Sequence, residues 1–271
     1  LVKITLLMAD FSDTEAFVRA CHVGHAAAVR LLLIQGGPST AATEDISGRS
    51  VLELAAKAGH SAVVRLLAEQ LVADQETWKV QSATALVTAS SHGRKEVVRE
   101  LLEARAAVDA RDSEGIHALA AAAAANHFAT VSALLSARAA VNVCDSGGAT
   151  AAVWAAGSGC SRVLLLLLGA GADVQVADED GGTPLIWAAA GGHEASVAAL
   201  LQGNADLNAA DHAGRTALSW AAGQGHEAAM KALLVAGADG ELRDCNGMSP
   251  QDWAVEEGCE DAFLRTQAAL N

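Results

Sequence analysis

The chain repeats itself every 33 residues, and this period constrains its fold more than any other feature of the sequence. The threonines and glycines that share the 33-residue spacing are Thr150, Thr183 and Thr216, and Gly159, Gly192, Gly225 and Gly258. A fixed period of this size is typical of proteins that stack one structural unit many times. One such unit cannot cover its own apolar faces, so stability becomes a sum over contacts between adjacent repeats.

The most regular unit, residues 178–210, begins with a predicted turn and a predicted helix. Asp178 and Gly181 favour the turn, because an Asp carboxylate bonds nearby backbone N–H groups and glycine accepts positive φ. Thr183 is expected to cap the helix, and Pro184 follows where its missing N–H costs nothing. A second helix is predicted next, from apolar residues at helical spacing: Val197, Leu200 and Leu201.

Four elements of this unit closely resemble the ankyrin repeat: Thr183-Pro184-Leu185, Ala188-Ala189, Gly192-His193 and Leu200-Leu201. The resemblance covers roughly residues 10 to 265. It implies an all-α fold, a right-handed ankyrin-repeat solenoid of helix-turn-helix units joined by β-hairpin-like turns. We expect a single domain, 1–271, with about eight repeats at 10–44, 45–78, 79–111, 112–144, 145–177, 178–210, 211–243 and 244–271.

Three regions depart from the repeat pattern. Lys79 and Ser82 stand where the third repeat should have the Asp and Gly of its turn, so a hairpin near Trp78 is doubtful. In the fourth repeat Asn126 replaces the helix-ending glycine, which is acceptable because Asn tolerates the left-handed conformation. Residues 1–9 are interpreted as an N-terminal cap or a cut edge, and the polar pair Thr266-Gln267 as a terminal cap.

Composition and motifs argue against catalysis, cofactors and metals. The five cysteines are odd in number and form no CxxC pair, so neither a disulfide framework nor a zinc site is supported. The histidines that follow the repeat glycines are spread one per repeat, and the resemblance implies that they hydrogen-bond between helices and turns. No signal peptide or membrane span is visible. We expect a non-enzymatic, monomeric chain in a reducing compartment, the cytoplasm or the nucleus, without direct membrane insertion.

Two apolar patterns have alternative interpretations. The tryptophans Trp154, Trp187, Trp220 and Trp253 recur every 33 residues, and we expect this ladder in the core rather than at a ligand site. In the run 163–168, Val163, Leu164, Leu167 and Leu168 hold buried positions, whereas Leu165 and Leu166 are expected to face solvent. The alternative for that leucine pair is a small docking patch.

The resemblance also implies a function, protein–protein interaction by a scaffold or adaptor. In this family the variable residues of the turns and first-helix ends line a concave partner-binding surface. Carried over to this sequence, the partner-binding residues are Ser113, Glu114, Ile116, Ser146, Glu179, Asp180, His212, Arg215, Gln224, Asn246 and Met248. The alternative is a regulatory or targeting region of a larger enzyme, such as a kinase, an acyltransferase or a ubiquitin ligase. The initial Leu1 in place of Met favours that alternative.

The acidic charge is concentrated at one end of the sequence. Residues 169–271 carry 16 acidic and 4 basic side chains, whereas residues 1–168 carry 16 acidic and 14 basic ones. Most of the net charge of −14 therefore lies in the last repeats. Such a field repels nucleic acid and anionic membranes and attracts a Lys/Arg-rich protein segment. The simpler interpretation is that these acids keep the chain soluble and initiate turns.

Overall fold

The computed structural model describes residues 13–34 and 43–269, and within these ranges the regular elements are α-helices with a few isolated β-bridges. In chain order the helices are α1 Asp13–Val23, α2 Ala26–Ile34, α3 Val51–Ala58, α4 Ser61–Leu71, α5 Gln75–Ser91, α6 Lys95–Glu103, α7 Ala118–Ala124, α8 Phe128–Ser136, α9 Ala151–Gly157, α10 Ser161–Gly169, α11 Pro184–Ala190, α12 Glu194–Gln202, α13 Ala217–Gly223, α14 Glu227–Val235, α15 Pro250–Glu256 and α16 Glu260–Ala268.

The chain divides into two compact units. Unit 1 comprises Leu1–Ala122 and Ala129–Ala139, and unit 2 comprises Ala123–Phe128 and Ala140–Asn271. In unit 1, α1 packs on α3 and α3 on α5, while α2 packs on α4 and α4 on α6. Unit 2 has the same two layers, with α9, α11, α13 and α15 in one and α10, α12, α14 and α16 in the other. Each unit is therefore a stack of helix pairs.

Hydroxyl caps begin the first helix of several repeats, as the sequence predicts. In each case the side-chain oxygen accepts a hydrogen bond from the backbone N–H three residues later, at 3.2 to 3.4 Å. The capping residues are Ser50, Thr150, Thr183, Thr216 and Ser249. Pro184 and Pro250 follow two of these caps. A cap of this kind contributes about 1 kcal/mol to helix stability.

The second helices bury one apolar stripe each, and α10 shows how the leucine run is divided. Val163, Leu164 and Leu167 are fully buried, whereas Leu165 is 52% exposed. Leu166 and Leu168 are half-buried. The predicted orientation is therefore confirmed for three of the four buried positions and for Leu165, whereas Leu168 is less buried and Leu166 less exposed than predicted.

The doubtful hairpin near Trp78 is replaced by a helix. Asp74 caps α5, which continues without a break to Ser91, and Trp78 is buried within it. The predicted boundary between repeats at residues 78 and 79 therefore falls inside a helix. The physical reason is the missing turn chemistry, because Lys79 and Ser82 offer neither the Asp acceptor nor the glycine that a tight turn needs.

Other departures from the repeat pattern are accommodated locally. Asn126 adopts φ 60°, as expected for a residue that replaces the helix-ending glycine. In α16, Thr266 is buried and donates its hydroxyl to the Ala262 carbonyl at 2.8 Å, while Gln267 is exposed. The proposed cap at residues 1–9 lies outside the described residues, so it stays a prediction.

Candidate functional site

The turns that precede the first helices of unit 2 are held by the carboxylate of their leading Asp. Asp178 Oδ1 accepts hydrogen bonds from the backbone N–H groups of Asp180 at 3.1 Å and Gly182 at 2.7 Å. The equivalent pairs of bonds occur at Asp145, Asp211 and Asp244. These carboxylates therefore fix the turns, and the simpler interpretation of part of the acidic charge is correct for them.

Backbone hydrogen bonds join successive turns of unit 2 into a row. The Glu179 N–H donates to the Gly147 carbonyl, and the His212 N–H donates to the Asp180 carbonyl, each at 2.9 Å. The Cys245 N–H donates to the Ala213 carbonyl at the same distance. Exposed side chains of consecutive repeats, including those of Glu179, Asp180 and His212, are thereby held side by side.

The tryptophan ladder lies on the exposed side of the first helices, next to this row. Each indole Nε1–H donates to Oδ2 of the turn Asp nine residues earlier: Trp154 to Asp145 at 2.7 Å, Trp187 to Asp178 at 2.6 Å, Trp220 to Asp211 at 3.0 Å and Trp253 to Asp244 at 3.0 Å. Trp154 and Trp187 are 39% and 42% exposed. Trp220 and Trp253 are half-buried.

The prediction that the ladder belongs to the core is therefore wrong. An indole carries a polar N–H beside a large apolar ring, so it is stable at a surface where a carboxylate accepts that proton. The sequence contains a signal for this arrangement, since Asp and Trp are separated by nine residues in four consecutive repeats.

A groove of about 420 Å³ opens between the repeats that carry Trp154 and Trp187. Its walls include the two rings, the turn aspartates Asp145 and Asp178, and the exposed acids Glu179 and Asp180. Aromatic faces and carboxylates together attract the cationic heads and apolar stems of Lys and Arg. The groove is thus chemically suited to a basic peptide.

The next repeat already holds a cation in the corresponding place. The Arg215 guanidinium carbon lies 3.8 Å from the centroid of a Trp220 ring and 5.8 Å from that of Trp253. Its Nε donates to Asp211 Oδ2 at 3.2 Å. One arginine therefore stacks on the ladder and pairs with the turn Asp at the same time.

Comparison with protein families identifies the repeats. A family model described as "Ankyrin repeats (3 copies)" matches residues 69–145, 89–178, 119–211, 153–244 and 203–264. The chain belongs to the ankyrin repeat family. Its all-α ankyrin-repeat solenoid fold is thereby confirmed, and ankyrin repeats generally mediate protein–protein interaction.

A solved structure supports the same assignment. The ankyrin repeat domain of Bcl-3, described as a unique member of the IkappaB protein family, is 28% identical to the chain with a TM-score of 0.66. The match covers 79% of this chain and 97% of the Bcl-3 chain. A search of curated proteins finds no match.

The predicted partner-binding residues of the ankyrin repeats lie mostly at the surface, in both units. The exposed ones are Ser113, Glu114, Ser146, Glu179, Asp180, His212, Gln224 and Asn246. The half-buried ones are Ile116, Arg215 and Met248. Ser113, Glu114 and Ile116 belong to unit 1 and the others to unit 2. Their role in binding stays a prediction, to which the structure adds the exposed rings of Trp154 and Trp187.

The ankyrin histidines have a structural role, as the resemblance implies. His193 Nε2 bonds the Gly157 carbonyl and His226 Nε2 bonds the Ala190 carbonyl, each at 3.0 Å. A carbonyl can only accept, so the proton must lie on Nε2. At the same position of the repeat, Arg94 Nε donates to the Lys57 carbonyl at 3.0 Å. These side chains pin one repeat to the preceding one.

Unit 1 has a different groove, of about 540 Å³, whose walls include Glu44, Glu53, Glu76, Gln81 and Thr84. Burial raises the pKa of Glu53. Within residues 13–34 and 43–269, no group of three His, Cys, Asp or Glu side chains is placed to hold a metal ion. The described helices also include none that is long and apolar enough to cross a membrane.

Proposed function

We propose that the chain is a non-catalytic ankyrin-repeat scaffold that binds a basic segment of a partner protein. The partner lies along the row of turns and the neighbouring first helices of unit 2. The observation that carries this proposal is the groove between Trp154 and Trp187, where two exposed aromatic rings stand beside Glu179 and Asp180.

The charge distribution supports a basic partner. Residues 169–271 hold 16 acidic side chains against 4 basic ones. The turn aspartates Asp178, Asp211 and Asp244 are engaged in hydrogen bonds, but Glu179, Asp180 and Glu241 are exposed at or beside the same row of turns. Exposed charges of one sign raise the local concentration of an oppositely charged partner and accelerate its association.

The test begins with affinity capture and mass spectrometry to identify the partner. Its association and dissociation rates are then measured at several salt concentrations. Exposed charges are screened over about 8 Å at physiological ionic strength, so binding should weaken as salt rises. The combined substitution Glu179→Gln, Asp180→Asn and Glu241→Gln should slow association more than it accelerates dissociation.

A matched control changes the same number of charges elsewhere in unit 2. Glu194, Glu260 and Asp261 are exposed in the first turns of second helices. Replacing them with Gln, Gln and Asn should slow association less than the triple substitution in the turns. Partner binding that is indifferent to salt and to both sets of substitutions would refute the proposal.

A further inference from the structure

Four residues after each turn Asp, the repeats of unit 2 carry different side chains. The seventh repeat has Arg215, which stacks on Trp220 at 3.8 Å and donates to Asp211 Oδ2 at 3.2 Å. The fifth and sixth repeats have Ala149 and Gly182 at this position. The turn Asp, the tryptophan and the hydrogen bond between them recur in all three repeats, so the side chain that covers the ring differs. In the sixth repeat the indole also lies closer to the turn, because Trp187 Nε1 occupies the space that a Cβ at residue 182 would take.

Small side chains leave the rings of the fifth and sixth repeats accessible. Trp154 and Trp187 are exposed, whereas Trp220 is only half-exposed beneath Arg215. Asp145 Oδ2 and Asp178 Oδ2 accept the indole N–H just as Asp211 Oδ2 does, and both carboxylates line the groove. Asp211 Oδ2 accepts from the indole and from a guanidinium together, so this geometry accommodates both donors.

We propose that Trp154 with Asp145, and Trp187 with Asp178, are two arginine sockets. In each, the guanidinium of a partner arginine stacks on the indole and donates to the Asp carboxylate, as Arg215 does within the seventh repeat. The inference rests on the proposed function, because it specifies which cation the basic segment presents. It adds a preference for arginine over lysine and a spacing between two arginines.

The preference follows from the shape of the cation. A guanidinium is planar, stacks on an aromatic face and still directs N–H groups sideways to a carboxylate. A lysine ammonium is a strongly hydrated point charge, so it gains less from stacking. The Arg215 arrangement uses both properties of the guanidinium at once.

The spacing follows from how the helices stack. The helices α9 and α11, which carry the two rings, pack side by side. Packed helices are typically about 8–10 Å apart. A polyproline II segment rises about 3.1 Å per residue with three residues per turn, so residues i and i+3 share a face about 9 Å apart. An extended segment with arginines three residues apart therefore reaches both sockets.

The experiment measures the affinity of two synthetic peptides by fluorescence anisotropy at fixed salt. One contains the core Arg-Pro-Pro-Arg and the other Lys-Pro-Pro-Lys, with equal length and net charge. We expect the arginine peptide to bind about tenfold more tightly. The proposed function alone predicts that both peptides bind with similar affinity.

Variants of the chain test the sockets themselves. Ala149→Arg supplies an arginine from within the fifth repeat, as Arg215 does in the seventh. This substitution should lower the affinity for the arginine peptide about fivefold and the affinity for the lysine peptide less than twofold. Ala198→Arg, at an exposed position of α12, adds the same charge away from the groove and should change neither affinity by more than twofold. Arg215→Ala should open a third socket at Trp220. It should therefore raise the affinity for a peptide with three arginines at this spacing.

The outcomes separate the two proposals. Equal affinity for both peptides, weakened equally by Ala149→Arg, would overturn the sockets and leave the basic-segment proposal standing. Failure of both peptides to bind would overturn the sockets, and a captured partner whose binding also ignores salt would overturn both proposals. A tenfold arginine preference that Ala149→Arg lowers and Ala198→Arg preserves supports the sockets.

Discussion

Units 1 and 2 use the same helix-pair scaffold and share turns held by an Asp carboxylate, at Asp45 and Asp112 in unit 1, but they differ at one missing turn and in where their tryptophans lie. In unit 1, the 17-residue helix α5 stands where a turn is expected, and its Trp78 is buried. In unit 2, four turns follow one another at 33-residue intervals, joined by backbone hydrogen bonds, and Trp154 and Trp187 line a groove. The groove of unit 1 is lined mainly by carboxylates and hydroxyls, whereas that of unit 2 is lined by indole rings and carboxylates.

The comparison shows that turn chemistry decides where a tryptophan goes. In unit 2, an Asp that already holds the turn has a second carboxylate oxygen available for the indole N–H. That bond satisfies the polar edge of the ring at the surface. Trp78 instead lies inside a continuous helix, four residues after the Asp74 cap, and is covered by the packing of unit 1.

The largest expected effect on stability comes from removing the buried tryptophan of unit 1 and comparing it with an exposed one of unit 2. Trp78→Ala removes a ring that is only 7% exposed, so we expect it to lower the free energy of unfolding by about 3–5 kcal/mol. Trp187→Ala removes a ring that is 42% exposed, together with one hydrogen bond, for which we expect a smaller loss of about 2 kcal/mol. Urea unfolding followed by circular dichroism measures both. A larger loss for Trp187→Ala than for Trp78→Ala would contradict the assignment of the two rings.

A smaller effect concerns the glycines that end the first helices. Gly159 in unit 2 has φ 68°, and an added Cβ would lie 2.5 Å from His193 Nδ1 in a rigid ring. Gly59 in unit 1 has φ 88°, but its added Cβ would lie 3.0 Å from Cδ of the flexible Arg94 side chain. Both substitutions to Ala incur the cost of the left-handed conformation, about 1–2 kcal/mol.

We therefore expect Gly159→Ala to destabilise the chain by about 1 kcal/mol more than Gly59→Ala, because it also disturbs the bond from His193 to the Gly157 carbonyl. Thermal and urea unfolding of the two variants gives the difference. Gly169→Ala is the control, since its added Cβ meets no atom within 4 Å and φ is not positive there. Equal losses of unfolding free energy for the substitutions at residues 59, 159 and 169 would show that neither φ nor the neighbouring side chain determines the cost of the added methyl group.

The smallest effect concerns acid stability. At Asp244 in unit 2, desolvation raises the pKa, but hydrogen bonds from the Met248 and Asn246 backbone and the Trp253 indole outweigh it and lower the pKa. At Asp45 in unit 1, the backbone N–H of Arg49 and then its guanidinium lower the pKa. An unfolded Asp has a pKa of about 3.9.

Because both folded pKa values lie below the unfolded one, the unfolded chain binds more protons between the two values. The stabilisation is therefore complete above about pH 4 and is lost as the pH falls through the folded pKa. We expect Asp244→Asn and Asp45→Asn each to flatten the decline of the unfolding free energy below pH 4. Urea titrations between pH 2 and 6 measure this slope. An unchanged slope in either variant would show that this carboxylate does not stabilise the fold through its charged form.

Local patterns made much of the fold predictable. The caps Thr150, Thr183 and Thr216, the left-handed Asn126 and the buried Val163, Leu164 and Leu167 all follow from rules that act within one turn or one helix. The candidate site was predicted less completely. The sequence identifies Glu179, Asp180 and His212 as turn residues, but its pattern predicts Trp154 and Trp187 in the core.

The sequence by itself determined the 33-residue period, the helix pairs with their caps, the glycine and histidine positions between repeats and the concentration of acid after residue 168. These properties depend on residues close together in the chain. Only the tertiary structure decided that residues 75–91 form one helix, that the ladder faces outward and that Arg215 lies on Trp220. The exposure of a helix face and the stacking of a cation depend on how neighbouring turns and repeats pack, and spacing along the chain does not specify that packing.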